Sequence, residues 1–130
     1  MPKSEKQKLH LEKLAKKNTT KETLIQTVIE QYLAYQENLG KLCFQKNNSG
    51  ALPTAQGSWI RFGKAGAPDF IIWLPQGKNI CLEVKNETGK LSPIQKKFRD
   101  KITKLGYEYF IVRSVDEAEK IINRILLPTP

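Results

Sequence analysis

Five consecutive apolar residues, Phe70 to Leu74, are followed by the turn signal Pro75-Gln76-Gly77-Lys78 and a second strand-like run from Asn79 to Lys85. A strand with no polar alternation has no face to give to water, so this hairpin must enter a core. At 130 residues the chain can build one such core and is too short for a second domain of ordinary size. Hydrophobic residues make up 39% and charged residues 27%, which is ordinary globular usage and excludes wholesale disorder.

Helical patterns flank the hairpin on both sides. Thr19-Thr20-Lys21-Glu22 carries a hydroxyl three residues before a glutamate, the signature of a capped N-terminus. The helix it opens runs to about Asn38 and stops at Gly40, with Leu24, Ile25, Val28, Ile29, Tyr32 and Leu33 as its expected buried stripe. Glu22 sits at the edge of that stripe. Lys41 to Asn47 reads as a strand, Asn47 to Ser58 as a polar, turn-rich loop, Trp59 to Phe62 as a short strand and Gly63 to Pro68 as a glycine-rich turn.

Ser92-Pro93-Ile94-Gln95 combines a capping serine, a proline at the first helical position and a glutamine at the capping-box position. The helix it opens carries Ile94, Phe98, Ile102 and Leu105 on one stripe and ends at Gly106. Tyr107 to Val112 is a strand, and Ser114 to Glu117 is a further capping box before a helix with Ala118, Ile121, Ile122, Ile125 and Leu126 facing inward. This order predicts an α/β domain with a mixed central β-sheet flanked by α-helices.

The net charge of +9 favours phosphate-bearing partners, because lysine and arginine release counterions when they bind a nucleic-acid backbone. A basic protein that is merely soluble has the same composition. Residues 1 to 21 hold seven lysines against Glu5 and Glu12, so more than half of the excess lies there. Residues 1–18 read as a basic N-terminal arm able to track phosphates, or as a frayed solvated terminus, and 19–130 as the single domain. No apolar run approaches the roughly 18 residues that span a bilayer, and the lysine-rich start lacks the apolar stretch of a signal peptide. The expectation is a cytoplasmic protein with no membrane contact. Cys43 and Cys81 have no zinc-like spacing and read as buried thiols in a reducing compartment; the lone His10 reads as a surface residue.

The chemistry concentrates in Gly66-Ala67-Pro68-Asp69 and Leu82-Glu83-Val84-Lys85. Strand alternation projects Glu83 and Lys85 to one face, and a short hairpin brings Asp69 within several ångströms of Glu83. Two such carboxylates repel unless a cation lies between them. Mg²⁺ or Mn²⁺ suits that need, since it takes hard oxygen ligands and keeps several waters. With a phosphodiester substrate, Lys85 would then orient the attacking hydroxide or neutralise developing charge. Spacing alone also allows Glu83 and Lys85 to be the exposed face of an edge strand and Asp69 to be a turn residue.

Pro68-Asp69 followed by Glu83-Val84-Lys85 resembles the PD-(D/E)XK motif of the restriction-endonuclease-like nucleases. More narrowly, Gly66 to Phe70, Cys81 to Lys85, Gly89 to Gln95 and Val112-Arg113-Ser114 resemble the VRR-NUC family in order and spacing over about residues 20 to 120. The resemblance implies a restriction-endonuclease-like core and metal binding by Asp69, Glu83 and the Val84 carbonyl, with Lys85 as the catalytic lysine. It also implies roles for Glu22, as a further metal ligand, and for Gln95. Read locally, Glu22 completes a capping box with Thr19 and Gln95 one with Ser92. The polar loop before Trp59 lies where such a fold has a strand leading into the Gly-x-Pro-Asp turn, so it reads as an insertion that contacts substrate.

Lys64, Lys90, Lys96, Lys97, Arg99, Lys101 and Lys104 surround these motifs, with Lys97, Lys101 and Lys104 on one helical stripe that suits either a phosphate backbone or water. No recognition-helix pattern supports base-specific readout. The resemblance implies a Mg²⁺-dependent DNA endonuclease that selects branched DNA such as Holliday junctions by shape. Two opposing cuts would require a homodimer, through the C-terminal helix or the region of Tyr32 and Tyr35. The alternatives are a DNA-binding module that keeps the fold without chemistry, and a nuclease acting on flaps or RNA. Deleting residues 1–18 is expected to weaken DNA binding and flatten its dependence on salt, measured by titration at several ionic strengths; an unchanged slope would remove the arm from phosphate contact.

Overall fold

The computed structural model describes residues 21–48 and 50–127. The basic arm, His10 and the Thr19 cap lie outside the described residues. The elements are α1 (Lys21–Asn38), β1 (Cys43–Lys46), β2 (Gly50–Pro53), β3 (Trp59–Phe62), β4 (Phe70–Leu74), β5 (Lys78–Val84), α2 (Pro93–Lys104), β6 (Glu108–Val112) and α3 (Val115–Leu126). A mixed sheet has the order β1-β4-β5-β6, antiparallel except for the β5–β6 pair, and β2 and β3 form a separate two-stranded sheet.

One face of the mixed sheet, carrying Phe70, Ile72, Leu74, Ile80, Leu82, Val84 and Val112, packs on Ile29 and Leu33 of α1 and on Ala118 and Ile122 of α3. The other face receives α2, whose Phe98 and Ile102 border a small apolar cavity with Ile71, Cys81 and Tyr107. The uninterrupted apolar run in β4 is thus divided between two layers, except for Trp73, which is exposed. It makes β4 and β5 the centre on which the rest assembles.

Local chemistry sets the boundaries. α1 ends in a Schellman arrangement, with Gly40 at φ 75°, its N–H on the Glu37 carbonyl and the Lys41 N–H on the Gln36 carbonyl. α2 starts with the full capping box of Ser92 and Gln95. The box expected for α3 is only half formed: Ser114 Oγ accepts the Glu117 N–H, but the Glu117 carboxylate reaches past the cap to the Arg113 N–H at 2.8 Å.

Three expectations are corrected. The α1 stripe divides, because a helix of apolar width greater than its contact cannot bury all of it. Ile25, Ile29, Tyr32 and Leu33 turn inward, whereas Leu24 and Val28 join Tyr35 and Leu39 on the exposed side. Cys43 is exposed, since edge strand β1 turns Phe44 to the core and the alternating position outward; Cys81 is buried. The segment from Asn47 to Ser58 is not a loop alone, because Gly50–Pro53 pairs with Trp59–Phe62 as a hairpin.

Gly66 fixes how the turn before β4 meets α2. It sits at φ 83°, and a Cβ there would lie 2.5 Å from the Ile94 carbonyl oxygen. Gly57 has a similar φ of 82° with open space around it. In urea unfolding, Gly57→Ala is therefore expected to cost about 1 kcal/mol and Gly66→Ala about 3 kcal/mol, because the second adds a backbone clash to the same left-handed strain.

Candidate functional site

The β4–β5 register sets Phe70 against Leu82, and one step further along it Asp69 lies directly across from Glu83 at the end of the hairpin. The two residues hold each other through main chain and side chain. Glu83 Oε2 accepts the Asp69 N–H at 3.1 Å, and Asp69 Oδ2 accepts the Val84 N–H at 2.7 Å. Glu83, 2% exposed, is the buried charged residue of the described core. Its other oxygen, Oε1, accepts from Gln95 Nε2 at 2.7 Å and lies 3.7 Å from Lys85 Nζ.

Gln95 serves both readings that the sequence leaves open. Its Oε1 accepts the Ser92 N–H at 2.9 Å, closing the capping box, while its Nε2 donates to Glu83. One amide therefore joins the start of α2 to the carboxylate pair. Proline at the first helical position presets the turn that puts it there.

Burial pushes the Glu83 carboxyl up to about 8, reinforced by the negative charge of Asp69 and opposed by Lys85. Asp69 is also raised, again chiefly by burial, with the Val84 N–H acting against the shift. Glu22 of α1, half-buried, adds repulsion to both carboxylates and so stands near this end of the sheet. Among the described residues no group of three or more His, Cys, Asp or Glu side chains has metal-holding spacing. The acidic set is a tight pair with Glu22 at longer range.

The donor chemistry nevertheless suits a hard divalent cation. Two mutually repelling buried carboxylates gain from a positive charge, and among the described residues Asp69 Oδ1 accepts no hydrogen bond.

Arg113 has a structural role that sequence reasoning missed. Its Nη1 donates to the carbonyls of Asn86 and Gly89, at 2.5 and 2.8 Å, bracing the loop that follows Lys85. Asn86 Oδ1 accepts from the N–H groups of Thr88 and Gly89 within the same loop. The signal was present in Asn86-Glu87-Thr88-Gly89, since Asn first and Gly fourth is a turn signature. Tyr109, raised by burial and then by the charges of Glu83 and Asp69, has a buried hydroxyl with no partner among the described residues.

The basic residues distribute unevenly. Lys64 stands 5.9 Å over the Phe98 ring, Lys90 and Lys96 are exposed beside the start of α2, and Arg99 pairs with Asp100. Lys97, Lys101 and Lys104 are exposed on the side of α2 away from Gln95, Phe98 and Ile102, at about 100° of rotation per residue.

A family model described as the VRR-NUC domain matches residues 6–116. Among solved structures, one described as a VRR-NUC domain is 29% identical and superposes with a TM-score of 0.55, the match covering 79% of this chain and 95% of that one. No curated protein matches.

The raised carboxyls give a pH prediction. A group whose folded pKa lies above its unfolded value contributes stability that is complete below the unfolded value, near 4.5 for Glu83, and is lost as pH rises through about 8. With chelator present, Tm is expected to fall by at least about 5 °C between pH 5 and pH 8, and Glu83→Gln is expected to flatten that fall. Scanning fluorimetry across pH checks both.

Proposed function

Because the chain belongs to the VRR-NUC family of nucleases, we propose that it is a Mg²⁺-dependent DNA endonuclease that selects branched DNA, including four-way Holliday junctions, and acts in the cytoplasm. The observation that carries this reading is the buried Asp69–Glu83 pair with Lys85 and Gln95 on the same carboxylate. A fold kept only for binding has no use for two buried, mutually repelling carboxylates. Among the described residues no helix is long and apolar enough to cross a membrane.

Asp69, Glu83 and the Val84 carbonyl are the proposed ligands, with Glu22 completing the set from α1. These residues would hold Mg²⁺ or Mn²⁺, which would supply a Lewis acid for the phosphoryl oxygen and activate water for attack. The residues of the chain do the positioning. Gln95 fixes the plane of the Glu83 carboxylate through its short hydrogen bond. The Val84 N–H holds one Asp69 oxygen at 2.7 Å and so sets the orientation of that carboxylate. Lys85, with its side chain only 11% exposed, keeps a positive charge where the phosphate gains negative charge, or orients the attacking hydroxide. Lys64, Lys90 and Lys96 would hold phosphates near the cut, and Lys97, Lys101 and Lys104 phosphates farther along the backbone.

Opposing cuts across a junction need two sites, hence a homodimer. The apolar face of α3 is spent in the core. The exposed strip of α1, with Leu24, Val28, Tyr35 and Leu39 at helical spacing, is the face that supports pairing with a second copy.

Incubation with duplex, flap and four-way DNA in Mg²⁺, with products mapped on both strands, tests the reading. Asp69→Ala and Glu83→Ala are expected to abolish cleavage while leaving DNA binding largely intact. Lys85→Ala is expected to slow turnover about 100-fold with little change in metal affinity by calorimetry. Cleavage retained by the carboxylate variants would refute the site, and symmetric cuts confined to branched DNA would support the substrate class.

A further inference from the structure

Among the described residues, the β2–β3 hairpin is a formed arm on which no other helix or strand packs extensively. Its tip is closed by four hydrogen bonds between Thr54 and Ser58, at 2.7 to 3.2 Å, and by the Gly57 N–H on the Thr54 carbonyl. All eight strand residues are nevertheless exposed, including Leu52, Trp59, Ile60 and Phe62, with Trp59 at 67%. A two-stranded ribbon is marginal in water on its own, so both bare faces call for a partner.

The place where the arm is rooted indicates which partner. The Asn47 N–H donates to the Asp69 carbonyl at 2.8 Å, extending the β1–β4 ladder by one step. The chain therefore leaves the sheet and returns to it at the candidate metal-binding aspartate. The returning turn is pinned by Gly66 against Ile94, beside Lys90 and Lys96 at the start of α2.

Between Asn47 and Pro68 there is no acidic residue, and the charges are Arg61 and Lys64. Strand alternation puts Trp59 and Arg61 on one face, with Ala51 and Pro53 opposite them, so a π surface and a cation stand about 7 Å apart along the strand. Among the described residues Arg61 makes no ion pair. That combination fits an unpaired base and its phosphate, since stacking accepts any base and the cation follows the backbone.

We propose that the hairpin is a nucleic-acid arm, rooted beside Asp69, in which Trp59 near the tip stacks on a base exposed at a discontinuity of the duplex while Arg61 contacts the backbone. The inference rests on the nuclease reading and supplies its source of shape selection: intact duplex offers no free base face, whereas branches and flaps do.

The protein contains two tryptophans. In a Trp73→Phe background, Trp59 becomes the sole tryptophan, read by excitation at wavelengths that tyrosine does not absorb, and titration with chelator present separates binding from cleavage. Flap and four-way DNA are expected to quench it saturably, and intact duplex far less. Trp59→Ala is expected to weaken binding to flap and four-way DNA about tenfold and to duplex less than twofold, with Trp59→Phe restoring most of the loss. Binding without quenching, or a Trp59→Ala variant that binds and cuts branched DNA as before, overturns the arm and leaves the nuclease intact. Conversion of a dimer to a monomer by Trp59→Ala in sedimentation also overturns it, assigning the face to a second copy. Wild-type protein that neither binds nor cuts any DNA refutes the nuclease reading and the arm with it.

Discussion

A carboxylate with almost no exposure is held at the end of the central hairpin, and the surrounding structure is arranged to keep it there. Glu83 is fixed by the neighbouring strand's amide, by a helix-capping glutamine and by a lysine on its own strand. These contacts fasten β4, β5 and α2 together at one corner. Isolated, a buried charge of this kind is a liability; here its hydrogen bonds decide how three elements meet. The apolar layer beneath supplies the driving force, and the polar corner supplies the orientation.

The parts of the fold that were readable beforehand are those where local and global signals agree. The apolar run of β4, the turn after it and the capping serine and proline of α2 each specify one outcome. Trp59–Phe62 reads as a strand, but its partner Gly50–Pro53 escaped notice because it contains glycine and proline and is exposed throughout, so no pattern marks it as one. Leu24 and Val28 were misplaced because apolar identity gives a stripe but not its contact width. Cys43 misled for the opposite reason, since an apolar segment on an edge strand still turns alternate residues to water.

The convergence of Asp69, Glu83 and Lys85 follows from strand alternation and hairpin register, so it could be reasoned from spacing. The bracing of the loop by Arg113 could not, because it joins the end of β6 to carbonyls whose direction depends on the turn. Helical spacing likewise set Lys97, Lys101 and Lys104 on one stripe of α2 but not its direction relative to the carboxylates. Helical rotation separates Lys97, Lys101 and Lys104 from the corner that carries the carboxylates.

Gln95 links a local folding event to the state of that corner. The same side-chain amide secures the first turn of α2 and the orientation of Glu83. Helix ends are where thermal fraying begins. Each excursion that opens this first turn also removes the Gln95 restraint on Glu83, so the order of that carboxylate is tied to the persistence of a single helical turn.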